Sequence, residues 1–182
     1  YLGGTVLGTS RGPQEPRVLV DFLERHQVDI LFCLGGDGTQ RGAHALHEEI
    51  DRRNLKIALV GIPKTIDNDV RFAQMTFGYQ SALQKAEEVL RGAHVEASCA
   101  PNGIALVKLM GREAGFIAAG AALASQEANF VLVPEVPFPL ESEGGFLEAL
   151  EARMRNRGHA VVIVAEGAGQ HLRLRYLRAS AG

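Results

Sequence analysis

Residues 63–69 read Pro-Lys-Thr-Ile-Asp-Asn-Asp, placing two carboxylates, Asp67 and Asp69, two positions apart just after the apolar run Ile57–Ile62. Two like charges are costly at such a place if both lose water. The stretch is therefore either an Asx-rich turn, in which each carboxylate bonds its own backbone, or a loop whose acids serve chemistry. In the second case a carboxylate beside a bound polyphosphate accepts the proton of a hydroxyl as that hydroxyl attacks phosphorus. Such transfers consist mostly of positioning and charge neutralisation. Thr65 adds a hydroxyl donor, and Lys64 a cation for the donor's phosphates.

A second stretch gives that reading a neighbour. Gly35-Gly36-Asp37-Gly38-Thr39 follows an apolar run and precedes a helical pattern. Glycines there let backbone N–H groups approach a phosphate, and a helix N-terminus favours negative charge. Bare phosphate would repel Asp37, so the acid fits such a site only with a bridging cation. Mg²⁺, which takes one or two carboxylates plus phosphate oxygens and water, is the natural one. The alternative is a tight turn in which aspartate caps the helix. Arg112, in Met110-Gly111-Arg112-Glu113, is expected in the first turn of a helix, where a cation opposes the dipole and a bound anion would offset the penalty. Arg11 is framed by glycine and hydroxyl residues, and for both arginines a solvated surface position is the alternative. Glu166 ends an apolar run, placed to accept from a sugar hydroxyl or to cap the chain. His44 and His47 lie three apart on one predicted helix but lack acids or cysteines at metal-ligand spacing, so zinc is not expected.

These residues need elements to hold them. Helical spacing over 15–27 sets Val18, Leu19, Phe22 and Leu23 on one face, and further helices are expected from about Thr39 to Ile50, over 79–91, 112–125 and 145–156. Between them, 29–36, 56–63, 103–111, 129–135 and 159–169 are short continuous apolar runs, the pattern of strands buried on both faces. Alternation of the two predicts an α/β fold with a parallel sheet. In an open sheet of that kind ligands bind beyond the carboxyl ends of the strands, and residues 35–39, 63–69, 110–112, 134–135 and 166–169 fall at such ends. The polar, small-residue segment 92–103 is the expected junction between two lobes. The glycines of 110–120 suit close helix packing, and the basic segment 171–182 fits no element.

With 46% hydrophobic residues, 22% charged residues and a net charge of −2, the composition is that of an ordinary soluble globular domain. It offers no electrostatic case for nucleic acid. No run of 18 uncharged apolar residues suggests a membrane span. Cys33 and Cys99 are the only cysteines and are expected to be reduced. A start at Tyr1, inside a glycine-rich phrase and without Met, suggests part of a longer chain.

Taken in order, Gly-Gly-Asp-Gly-Thr (35–39), Gly-Ile-Pro-Lys-Thr-Ile-Asp-Asn-Asp (61–69), Phe-Gly-Tyr-Gln-Ser-Ala (77–82), Lys-Leu-Met-Gly-Arg-Glu-Ala-Gly-Phe-Ile-Ala (108–118), Val-Pro-Glu (133–135) and Ala-Glu-Gly-Ala-Gly (165–169) resemble the phosphofructokinases. The resemblance covers about residues 2–170, and the pairing of 65–69 with 110–112 is its specific part. The first motif alone is shared with NAD kinases and lipid kinases.

The resemblance implies two Rossmann-like three-layer lobes with mostly parallel sheets, both incomplete here. Residues 1–98 would form the donor (ATP/Mg²⁺) lobe, 99–170 the sugar-phosphate lobe, and 171–182 an irregular tail. It implies transfer of a phosphoryl group to the 1-hydroxyl of fructose 6-phosphate in glycolysis, in the cytoplasm, by a parent chain that is a homo-oligomer. Asp67 would be the general base with Thr65 and Asp69 beside it, and Arg11 would act on the migrating group. Asp37 would act through Mg²⁺, and Gly36, Gly38, Thr39 and Lys64 would contact the donor. Met110, Gly111, Arg112 and Glu166 would hold the sugar phosphate. Gly38 implies ATP, because the pyrophosphate users of the family carry aspartate there, which would collide with a nucleotide's α-phosphate. Lys64 is the residue that pyrophosphate users keep. A pyrophosphate-dependent enzyme and an inactive fragment with an interaction role are therefore the alternatives. The family's first glycine-rich loop and the basic residues beyond Glu166 are not matched, which implies an incomplete active site.

Overall fold

The computed structural model describes residue 12, residues 14–170 and residue 172. Arg11 and nearly all of the basic tail lie outside the described residues. The chain separates into two compact units, divided between Pro63 and Lys64.

In the first unit α1 (Pro16–Arg25) and α2 (Asp37–Arg52) alternate with β1 (Ile30–Gly35) and β2 (Ala58–Thr65), the last two residues of β2 falling in the second unit. β1 and β2 pair in parallel, from Ile30 opposite Ala58 to Gly35 opposite Pro63. The core joins Val20, Leu46 and Ile50 to Leu19, Leu31, Leu55, Ile57 and Leu59. Proline opens α1, where its missing N–H is no loss. The inward stripe of α1 is Leu19, Val20 and Leu23, whereas Val18 and Phe22 face outward and Phe22 stacks on His26. The expected face is thus rotated by about one position, because Val20 is the residue that reaches Leu46 and Ile50.

The second unit contains β3 (Phe77–Gly78), α3 (Tyr79–Cys99), β4 (Gly103–Leu109), α4 (Phe116–Ser125), β5 (Phe130–Leu132), α5 (Phe146–Arg157) and β6 (His159–Ala165). β3 pairs in parallel with the end of β2, Lys64 opposite Phe77 and Thr65 opposite Gly78. The main sheet runs β4-β6-β5, all parallel. Central β6 carries Val161, Ile163 and Ala165 into a core with Ala86, Leu90 and Ala97 of α3 and Ala118 and Ala121 of α4. Close helix packing accounts for Gly120, since a Cβ there would stand 2.5 Å from the Tyr79 hydroxyl and 2.9 Å from Leu83.

The α/β class and the parallel sheets are as the sequence predicts, with differences of detail. Residues 92–99, expected within the junction, continue α3 to Cys99, because Ala97 packs into the core and outweighs the weak propensity of Gly92. Helix α4 starts at Phe116, four residues later than expected. Strand β5 ends at Leu132, just before the Val-Pro-Glu segment. Of the strands read as buried on both faces, β6 is so, while β1 and β4 alternate and leave Ile30, Phe32, Leu34, Ile104 and Leu106 exposed. Both cysteines are free thiols, and burial pushes the Cys33 thiol up.

Candidate active site

Two groups of candidate residues are set at strand ends, one in each unit. In the first, β1 closes at Gly35, Gly36 is the N-cap of α2, and Asp37, Gly38 and Thr39 form its first turn. The helix begins two residues earlier than expected, so these residues present helix amides and not a free loop. Among the described residues no side chain caps that turn, and free amides of a first helical turn are suited to an anion. Asp37 is not the cap. Its carboxylate, 45% exposed, pairs with Arg41 one turn on at 2.7 Å. Among the described residues a Cβ added at Gly38 meets nothing within 4 Å, so their packing does not demand glycine there. Sequence reasoning passed over Gln40, whose Nε2 donates to the carbonyls of Gly35 and Ile62, both at 3.0 Å. That amide ties the end of β1 to the end of β2. His44 and His47 each face an acid one turn on, Glu48 at 3.7 Å and Asp51 at 3.4 Å.

The second group is gathered in the second unit. Asp67 follows β2 and is 6% exposed, whereas Asp69 and Lys64 are exposed. The two carboxylates therefore do not share one dry site, which removes the cost raised by their spacing. The Asp67 N–H donates to Thr65 Oγ1 at 3.2 Å, and that hydroxyl stands 3.3 Å from Asp67 Oδ2. Arg112 reaches the same Oδ2 with Nε at 3.1 Å and Nη2 at 3.0 Å. A buried carboxylate is thus matched with a cation that itself stays 62% exposed.

Arg112 reaches this position through a turn and not a helix. Gly111 has φ 137° and Arg112 φ 49°, and α4 begins only at Phe116. The expected dipole penalty on Arg112 therefore does not apply. Only glycine fits the first position: besides its φ, a Cβ on Gly111 would lie 2.5 Å from the Ala114 carbonyl oxygen. A left-handed non-glycine residue costs on the order of 1–2 kcal/mol, which the Asp67 pairing and a bond from the Arg112 N–H to Glu166 Oε2, at 3.2 Å, help to offset. Glu166 stays in register with β4 through its own N–H on the Leu109 carbonyl, at 2.8 Å. The Met110 side chain is exposed. Glu135 accepts from the N–H of Gly115, the N-cap of α4, at 2.7 Å.

Asp67, Thr65, Arg112 and Glu166 are therefore brought together. Thr76 and Asn68 brace the loop, a role that nothing in the sequence pattern points to, although Asn68 lies within the 63–69 motif. Thr76, 2% exposed, donates its N–H to Asn68 Oδ1 at 2.9 Å and its hydroxyl to the Thr65 carbonyl at 2.8 Å. A lone threonine between Met75 and Phe77 carries no motif.

A family model described as Phosphofructokinase matches residues 1–179. The chain is 52% identical over 174 residues to the ATP-dependent 6-phosphofructokinase of Borreliella burgdorferi, covering 92% of this chain and 39% of that protein. It is 53% identical over 170 residues to the ATP-dependent 6-phosphofructokinase of Trypanosoma brucei brucei, covering 93% and 34%. Among solved structures, the pyrophosphate-dependent phosphofructokinase of Marinobacter aquaeolei superposes with a TM-score of 0.74 at 29% identity, over 91% of this chain and 43% of that one. The Pichia pastoris phosphofructokinase in the T-state gives 0.75 at 28%, over 91% and 19%. The chain thus spans well under half the length of these relatives.

Proposed function

The chain belongs to the phosphofructokinase family, and on that premise we propose that it carries donor and acceptor residues of an ATP-dependent 6-phosphofructokinase. The reaction moves the terminal phosphoryl group of ATP to the 1-hydroxyl of fructose 6-phosphate, in glycolysis. The observation that carries this reading is the buried Asp67 carboxylate, held by a hydroxyl and an arginine at a strand end.

In that reaction Asp67 takes the proton of the 1-hydroxyl, and the oxygen attacks phosphorus as the bond to ADP breaks. Thr65 fixes the orientation of the carboxylate, and Asp69, in solvent, adds negative charge at the rim. The sugar phosphate is held by Met110, Gly111, Arg112 and Glu166, and its anionic group competes with Asp67 for Arg112. The amides of Gly36, Gly38 and Thr39 face the donor's phosphates, Lys64 adds a cation, and Arg11 acts on the migrating group. Asp37 fits Mg²⁺, being an accessible carboxylate in a first helical turn whose N–H groups suit phosphate. When bound, the ion neutralises charge on the donor phosphates.

Donor handling is assigned to residues 1–98 and the sugar phosphate to 99–170, with 171–182 as a tail. The longer protein is taken to act as a cytoplasmic homo-oligomer. Among the described residues no helix is long and apolar enough to cross a membrane.

The open space at Gly38 favours ATP, because the glycine is then explained by the donor's need for room. The exposed Lys64 favours a second reading, pyrophosphate as donor. Phosphorus NMR of the chain with fructose 6-phosphate and Mg²⁺, with ATP and pyrophosphate in separate tubes, tests both. A 1,6-bisphosphate signal is expected with ATP. A signal with pyrophosphate alone would transfer the assignment to the second reading. Silence in both tubes beside an active family enzyme would reject catalysis by this chain and leave the interaction role.

A further inference from the structure

The chain leaves the sheet after Thr65 as a short irregular stretch, and Thr65 and Asn68, on either side of Ile66 and Asp67, are both fastened to one buried threonine. Thr76 stands directly before β3, where the ladder sets Thr65 opposite Gly78. Its hydroxyl has a single proton to give. Two acceptors lie within its reach, the Thr65 carbonyl at 2.8 Å and Asn68 Oδ1 at 3.2 Å, and the nearer is the better partner, since the Thr76 N–H already serves Asn68 Oδ1 at 2.9 Å. Asn68 has φ 56°, a left-handed conformation that asparagine tolerates better than most residues. The anchor on its amide oxygen holds it there. The chain between these ties is Ile66 and Asp67. Thr65 is fixed at its carbonyl by Thr76 and offers its hydroxyl to the Asp67 N–H and carboxylate. The orientation of the carboxylate thus depends on Thr65, and that of Thr65 on Thr76.

We propose that Thr76 is a positioning residue for Asp67, a role that rests on Asp67 being the base. A buried hydroxyl could instead simply satisfy a carbonyl, and that role would affect stability alone. Two variants of the full chain separate these cases. Thr76→Val keeps the branched shape and loses the donor, and Thr76→Ser keeps the donor and loses a methyl group. With displacements of about 1 Å costing up to about a hundredfold in rate, Thr76→Val should lower kcat roughly tenfold to a hundredfold. KM for fructose 6-phosphate should stay within about threefold, and Thr76→Ser should restore kcat to within about threefold of the unaltered chain. Amide hydrogen exchange, followed by NMR, should show faster exchange at Asp67 in Thr76→Val but not in Thr76→Ser. A Thr76→Val chain that melts lower yet turns over normally would overturn the proposal. If the unaltered chain does not turn over, the reading of Asp67 as base fails in this chain and the positional claim is judged by exchange alone. Unchanged exchange at Asp67 in Thr76→Val would then reject it, and faster exchange, reversed by serine, would sustain it.

Discussion

At the scale of single residues, the decisive contrast lies between Asp67, buried and paired, and Asp69, exposed. Replacing Asp67 by Asn keeps the shape and an acceptor for the Thr65 hydroxyl, but it removes the proton acceptor. A general base contributes about 10²–10⁴-fold, so Asp67→Asn should lower kcat by that order, with a lower melting temperature as well because the ion pair with Arg112 is lost. Turnover within tenfold of the original chain would remove Asp67 from the role of base. Gly38 allows a test of donor choice that packing against the described residues does not confound, because a Cβ there meets none of them within 4 Å. Gly38→Asp should leave melting unchanged or slightly raised, since an acid suits the first helical turn. Calorimetric affinity for Mg·ATP should fall tenfold or more, as expected of a like charge beside the α-phosphate. Unaltered ATP affinity would show that Gly38 does not select the donor. Asp67, Arg112 and Glu166 were legible because dense polar motifs closing apolar strands are rare and strand ends are where such sheets bind. Thr76 and Asn68 were not, because their bonds join positions eight and eleven residues apart through space. No local pattern encodes that distance.

At the scale of elements, α1 and α2 are joined by a charge cluster as well as by their core. Glu49 accepts from Arg52 Nε and Nη2 and from Arg53 Nε, each at 2.7 Å, and Arg53 Nη1 continues to Asp21 of α1 at 2.5 Å. The hydrogen bond from Arg52, reinforced by Arg53, lowers the Glu49 carboxyl from the usual 4.5 to about 2. A carboxyl depressed on folding adds stability that is complete above its unfolded value. That contribution is lost as pH falls through the folded value. The Glu49 contribution should therefore be intact above pH 4.5 and vanish on the way to pH 2. Glu49→Gln should melt lower than the original chain near neutrality, and the two curves should converge between those limits. Melting curves that stay a constant distance apart down to pH 2 would show that the cluster does not hold these helices. Element types were read from periodicity alone, and the misplaced boundaries share one cause. Tertiary packing carried α3 on to Cys99 through Ala97, and the Gly111–Arg112 turn, held by Asp67 and Glu166, delayed α4. Neither effect leaves a trace in a window of one helix.

At the scale of the whole chain, the strands carry apolar residues on both faces, but the described residues cover both faces only of β6. Phe32 of β1 is 57% exposed and Leu106 of β4 is 69% exposed, beside Ile30, Leu34 and Ile104. Ile30, Phe32 and Leu34 alternate along β1, and Ile104 and Leu106 along β4, so each strand presents a row of exposed apolar side chains. This exposure also explains why the sequence read these strands as fully buried: residue type reports that a face is apolar, and not whether the described residues cover it. The folded chain should accordingly bind an apolar fluorescent dye such as anilinonaphthalene sulfonate at temperatures well below its melting transition. Phe32→Thr and Leu106→Thr together should weaken that fluorescence, since each removes a side chain already in water. For the same reason each should shift stability by only about 0.5 kcal/mol. Threonine keeps strand propensity high, which separates loss of apolar surface from loss of the strand. If the double variant melts several degrees lower with its fluorescence unchanged, Phe32 and Leu106 are packed in solution and the outer faces of β1 and β4 are closed. Dimmer fluorescence at an unchanged melting temperature would instead establish that the apolar faces of these two strands stand open in the folded chain.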